Sequence, residues 1–413
     1  MDSTRHQWQP RRSRLLGAIL IATLSATVAA VPRIAPLTDK ELTDTHKALL
    51  KELGVGDAAR LSNQFRVFLK HPALVRGVMP FANYIGGVST LSPRHREILS
   101  LRTAWLARSE YQWSRHAPLA KSVGLTNQEL RRVAAGPDER GWVDPLEPLL
   151  LRLADELHVD SFVSDMTWAA VAGRYNRHQM MDAVFTVAEM TMLSETANSV
   201  GVERESGNNE RFPANVPYRV GASKTGRRLI GEKARIAPLE PSDWSPEVRK
   251  MLDPTDSGRS VAAVYRTLAQ HPRMYAPRQL LSEYIRTQST LDARTRELLI
   301  MRIGALCLSD YEWAAHAPAG RRAGMTDADV QHILEGPRAG SDEPDDTLLK
   351  AVDELYTDRV ISDGTWQRLA SRFNEQQLLD ILITTGGYHM VSMALNSFGV
   401  QLEPGGEGLP PAR

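Results

Sequence analysis

The chain has 413 residues, 42% of them apolar, and its 50 basic and 49 acidic side chains leave a net charge of +1. That length exceeds one ordinary core, so two domains are expected, and the balanced charge supplies no basic field for nucleic acid. A single cysteine, Cys307, excludes an intrachain disulfide and any zinc site built on cysteines.

The N-terminus stands apart from the rest of the chain. Arg11, Arg12 and Arg14 precede a charge-free run from Leu15 to Val31 that closes on small residues. A basic start, an apolar middle and a small-residue end form the pattern of a secretory signal over 1–30, cleaved after Ala30. The run is marginal in length for a membrane span. An uncleaved anchor and a start assigned upstream of the true one are the alternatives. The expected location is exported or membrane-anchored, or cytoplasmic if the start is misassigned. Any membrane contact is expected only through this segment.

The chain then repeats itself. "RIAPL" occurs at Arg33 and Arg235, "HP" at His71 and His271, and "STL..R.RE.L..R" from Ser89 and Ser289. "DEL" recurs at Asp155 and Asp353, "TW" at Thr167 and Thr365, and "NS.GV" at Asn198 and Asn396. A period of this size marks a duplicated domain rather than a solenoid unit. The spacing places one domain over 33–203 and a second over 233–403. Between them, 204–232 is polar and rich in Gly, Asn and Pro, as a linker is.

Both copies read as all-α, because no stretch sustains the period-two alternation of a strand. Ser92 followed by Pro93 predicts a helix start, with Asp292 in the same role in the second copy. Ser109 and Ser309 read as N-caps, each before an acidic residue. Gly124 and Gly324 are natural stops, and Thr126 to Glu129 is a capping box. The final helices are predicted over Arg177–Val200 and Glu375–Phe398. Only the second contains a glycine pair, Gly386 and Gly387, which predicts close packing or a bend near a ligand. His71 and His271 precede prolines at helix ends and read as structural, and Trp168 and Trp366 as packing residues. His389 has Thr191 opposite it, so it can serve one site only.

The chemistry-bearing stretch is "SEYQWSRHAPLAKSVG" from Ser109, which returns as "SDYEWAAHAPAGRRAG" from Ser309. On a helix Ser109, Trp113 and His116 share a face while Tyr111 points elsewhere. Pro118 removes a hydrogen bond and frees the Ser114 carbonyl beside His116. Glu97 lies on the preceding helix, twelve residues before Ser109, and Glu297 holds the same place before Ser309. A short turn makes the two helices antiparallel, which brings each Glu level with the following helix. A carboxylate facing an imidazole orients the ring and raises its basicity, so Glu97 with His116 and Glu297 with His316 are the candidate catalytic pairs. Arg102 and Arg302 are placed to bind a substrate carboxylate or to pair with the glutamates. Ser109, Tyr111 and Trp113, with Ser309, Tyr311 and Trp313, complete the candidate pocket. The tryptophans also suit a core, and the serines a cap. Glu312 stands where the first copy has Gln112, so His316 is expected to hold its proton to higher pH. One Glu and one His per site are too few for a closed zinc site, and neither a metal nor a cofactor is expected.

The layout of Glu, two helix positions three residues apart and then His resembles the alkylhydroperoxidase D and carboxymuconolactone decarboxylase superfamily. "HAPLAKSVG", with Ala four and Gly eight residues past His, is similar to that family's helix. The resemblance covers both copies nearly end to end. It implies an all-α fold of two homologous helical domains, a fused pair mimicking a dimer, and further self-association into a homo-oligomer. In the peroxidase branch the two intermediate positions are cysteines; here they are Ser109 and Gln112, and Ser309 and Glu312. A serine hydroxyl is too weakly acidic to replace a thiolate, and neither glutamine nor glutamate can resolve a disulfide. What the resemblance then implies is a carboxymuconolactone decarboxylase-like lyase or isomerase acting on a small carboxylate or lactone. A peroxidase working through Cys307 and a non-catalytic binding or scaffold protein are the alternatives.

Overall fold

The structure is a computed structural model that describes residues 32–55, 61–220 and 233–410. The N-terminal basic and apolar segment lies outside them. Among the described residues there is no strand, and the two halves carry the same series of helices. In the first half these are α1 (Asp44–Glu52), α2 (Asn63–Phe68), α3 (Pro72–Asn83), α4 (Pro93–Leu106), α5 (Glu110–Ser122), α6 (Asn127–Ala135), α7 (Leu146–Asp160), α8 (Asp165–Ala172) and α9 (Arg177–Val200). In the second they are α10 (Pro246–Leu252), α11 (Ala263–Leu268), α12 (Pro272–Thr287), α13 (Ala293–Leu306), α14 (Asp310–Arg322), α15 (Asp327–Glu335), α16 (Pro344–Asp358), α17 (Asp363–Ala370) and α18 (Glu375–Phe398). The fold is all-α, with two homologous helical domains.

Local sequence explains most helix boundaries. Ser92 Oγ accepts from the His95 amide and Asp292 from that of Thr295, so α4 and α13 start where the caps predict. Thr126 with Glu129, and Thr326 with Asp329, form reciprocal capping boxes. Gly124 and Gly324 follow α5 and α14 in the left-handed region, both at φ 94°.

Ser109 and Ser309 depart from the expectation. They precede α5 and α14, but neither hydroxyl caps its helix, and both Oγ atoms are buried without a partner among the described residues. The turns before them are tight, and Arg108 (φ 52°) and Leu308 (φ 54°) take left-handed backbone that side-chain-bearing residues rarely adopt. At Ser109 itself ψ is 88°, short of the extended value at which a cap hydroxyl meets the helix amides.

The halves join through α9 against α18 and α3 against α12. Both contacts are close because a side chain is missing. A Cβ on Gly386 would lie 2.5 Å from Met192 Cγ, and one on Gly77 would lie 2.5 Å from Tyr284 Cβ. The Gly386 position thus serves helix packing, and α18 runs unbroken through it.

Reciprocal polar links cross the same seam. His271 Nε2 lies 3.3 Å from Asp182 Oδ2, and His71 Nε2 lies 3.4 Å from Asp380 Oδ2. Arg33 of the first "RIAPL" reaches the Ile361 carbonyl and Asp363 in the second half, and Arg235 of the second reaches the Val163 carbonyl and Asp165 in the first. The repeated motif is a domain clamp. Each arginine also covers an indole, Arg33 on Trp366 and Arg235 on Trp168.

Residues 204–220, read from composition as linker, pack onto the first domain instead. Asn208 Nδ2 donates to the Ser114 carbonyl at 2.8 Å, satisfying the acceptor that Pro118 frees. Phe212 lies against Trp105 and Trp113, and Tyr218 donates to the Leu106 carbonyl.

Candidate functional site

The turns at Arg108 and Leu308 fold α5 back along α4 and α14 back along α13. The predicted pairs meet as a result. His116 Nδ1 lies 2.7 Å from Glu97 Oε2, and His316 Nδ1 lies 2.7 Å from Glu297 Oε2. A carboxylate only accepts, so Nδ1 carries the proton in each ring and Nε2 is left as the basic atom. The glutamates are buried, whereas the His116 and His316 side chains keep 20% and 18% of their surface, enough for a ligand to reach them. Arg96 and Arg296, which the sequence did not single out, stand 3.6 and 3.8 Å from the other carboxylate oxygens.

Tyr111 and Tyr311 flank these helices with their hydroxyls already engaged. Tyr111 donates to Glu205 at 2.8 Å and accepts from the Gln64 amide, and Tyr311 donates to Glu403 at 2.8 Å and accepts from the Val264 amide. Glu205 and Glu403 lie just past the last helix of each half, so the repeat extends beyond "NS.GV". No local motif signals this, because the partner tyrosine is about ninety residues away.

Other expected pocket residues lie elsewhere. Arg102 is 1% exposed and grips Asp155 through two hydrogen bonds of 2.6 and 2.9 Å, with the Val133 and Ala134 carbonyls as further acceptors. Arg302 repeats this with Asp353 and the Ile333 and Leu334 carbonyls. Five residues along a helix turn a side chain to nearly the opposite face, so both arginines tie their helix to the "DEL" helix and neither meets its Glu/His pair. Trp113 packs in an apolar cluster with Trp105 at 6.0 Å, and Trp313 is 5% exposed in the larger core. Ser109 and Ser309 are 0% exposed, closed off from any ligand.

Since the serine hydroxyls hold no partner, Ser109→Ala and Ser309→Ala should each change stability by less than about 1 kcal/mol. Urea midpoints check this, and a larger loss would reveal a hydrogen bond the two hydroxyls do make.

The two pockets differ in charge. In the first, Gln112 donates to Gln64 Oε1 at 2.6 Å, and Gln64 donates to the Leu193 carbonyl. In the second, Glu312 Oε2 lies 3.5 Å from His316 Nε2, and the Tyr388 ring stands edge-on to the imidazole at 4.9 Å. Burial alone would lower the His316 pKa. The Glu297 hydrogen bond and the Glu312 charge outweigh it, and the net shift is upward. Burial pushes the Glu312 carboxyl up against the pull of His316 and Arg278.

Cys307 is 1% exposed at the end of α13, and its carbonyl accepts from Asn396. Beside it is a buried cluster drawn from both halves, in which Glu195 meets Arg359 at 3.1 Å and His389 at 3.0 Å. His389 therefore belongs to the domain seam. Burial would lower its pKa, but its interactions with Cys307 and Glu195 outweigh this and push it up to about 9.

The carboxymuconolactone decarboxylase family model matches residues 72–154 and 272–342. The segments begin at the equivalent helices α3 and α12, and each includes one Glu/His pair. No curated protein matches the chain. One family segment in each half and a single cysteine are consistent with a tandem carboxymuconolactone decarboxylase-like protein of a cysteine-poor kind.

Proposed function

We propose that the protein is a cofactor-independent lyase or isomerase that moves protons on a small carboxylate or lactone. The observation that carries this reading is the 2.7 Å contact of a buried glutamate with His Nδ1, present in both halves. The glutamate fixes the tautomer and steadies the imidazolium, and Nε2 exchanges a proton with substrate carbon. In isomerisation Nε2 takes a proton from one carbon and returns it to another. In decarboxylation Nε2 first takes a proton from solvent, the C–C bond breaks, its electron pair stays on the substrate carbon, carbon dioxide leaves, and the imidazolium gives its Nε2 proton to that carbon.

Incubation with a pool of small carboxylates and lactones in D2O tests this. Deuterium appearing at a substrate carbon, or loss of carbon dioxide, without added cofactor is the expected result. Tight binding with neither change would favour a binding protein. Dithiol peroxidase chemistry is disfavoured, because glutamine and glutamate hold the second cysteine position and Cys307 is buried.

A further inference from the structure

Arg278, on α12, is 4% exposed, yet among the described residues its guanidinium has only one acceptor, Ser282 Oγ, and its Nε has none. Buried arginines are ordinarily paired with carboxylates or fully hydrogen-bonded, because removing the charge from water is costly. Here the nearby acids are committed elsewhere. Glu297 is bonded to His316 Nδ1, and Glu312 faces His316 Nε2. The groups Arg278 senses are Tyr388, Glu312, Tyr265 and Tyr275, and burial still pulls its pKa down. This is a buried cation with no carboxylate within ion-pair distance among the described residues, and the groups it interacts with include Glu312 and Tyr388, the two side chains that flank His316.

The first half has nothing comparable. Along the repeat, Arg278 is matched by Val78, Ser282 by Ala82, Glu312 by Gln112 and Tyr388 by Met190. These four differences are scattered over three helices of the sequence, yet Glu312 and Tyr388 flank the His316 imidazole, and Arg278, bonded to Ser282, interacts with both. Gln112, by contrast, is uncharged and donates to Gln64 Oε1.

We infer that the second domain alone holds an anion subsite, in which the Arg278 guanidinium binds the carboxylate of a small organic acid beside His316. A planar fork with free N–H donors matches the two oxygens of a carboxylate, and the edge of Tyr388 bounds the space next to the imidazole. The inference rests on the proposed chemistry only for the steps after binding. It makes the two domains unequal, with the second taking acids and the first taking at most neutral ligands.

Calorimetric titration of the full chain with benzoate and with its neutral isostere benzamide tests the subsite. Benzoate is expected to bind at one site per chain, with benzamide at least tenfold weaker. Arg278→Met should weaken benzoate at least tenfold and leave benzamide unchanged. Equal binding of the two probes, two equivalent benzoate sites, or full benzoate affinity in R278M would each overturn the inference. The wild-type comparison decides alone if R278M does not fold. Calorimetry reads binding without turnover. Benzoate held by Arg278 with no deuterium exchange in the substrate pool would therefore remove the lyase reading and leave the subsite standing, and the converse result would do the opposite.

Discussion

Replacing His116 and His316 together by alanine is expected to lower turnover by roughly 10²–10⁴-fold, the usual contribution of a positioned acid/base group. In each pair the imidazole Nε2 is the nitrogen not engaged by the orienting Glu97 or Glu297, and at His316 it faces Glu312. The rate of deuterium incorporation measures the loss, and circular dichroism checks that the helices remain. Full turnover in the double variant would eliminate the mechanism. Glu97→Gln with Glu297→Gln should act more mildly, because an amide can still accept from Nδ1 but no longer steadies the imidazolium. The single His116→Ala variant isolates the second domain. The His316 pKa lies above its usual 6.5, so a rate that needs neutral Nε2 should rise through a limb centred above pH 6.5 in that variant. A limb centred below that value would contradict the contact between His316 and its two carboxylates.

Asp182→Ala or Asp380→Ala is expected to destabilise the protein by about 3–5 kcal/mol, the cost of removing one partner from a buried charged network. Asp380 accepts from the Thr290 amide and hydroxyl at 2.6 and 2.7 Å, from the Tyr284 hydroxyl, and faces His71 across the seam. Asp182 is bound in the same way by Thr90 and Tyr84, with His271 opposite. The loss should appear as a lower urea midpoint for the whole chain, since each aspartate ties its own domain to the other. Burial would raise these carboxyls, but the histidine and threonine hydrogen bonds, joined at Asp380 by that of Tyr284, outweigh it and hold both below the usual 3.8. A depressed carboxyl contributes stability that is complete above its unfolded pKa and is lost as pH falls through the folded value. The wild type should therefore lose stability steeply below about pH 4, with a shallower fall in Asp182→Asn and Asp380→Asn. Identical acid profiles would mean that the two aspartates do not carry these bonds.

The sequence by itself determined the duplication, the all-α class and most helix boundaries. Ser92, Asp292, Thr126 and the glycines after α5 and α14 act on backbone groups within a few residues of themselves, so their effect is written locally. The meeting of Glu97 with His116 was legible for a related reason. Two helices joined by a three-residue turn have little choice of register, and helix periodicity then decides which side chains face each other.

Only the tertiary structure decided the rest. Arg102 and Arg302 looked like anion binders because their type and spacing suit one, yet their acids come from helices about fifty residues further on. The "RIAPL" arginines, which the repeat marks but does not explain, and His71 and His271, read as structural, are links between domains. Arg278 drew no attention in the chain, since a lone arginine in a helix is ordinarily solvated. What sets it apart is burial near Glu312 and Tyr388 with no carboxylate in contact among the described residues, a property of how distant helices pack. Contacts between distant segments depend on how apolar faces dock, and no spacing along a single chain encodes that docking angle.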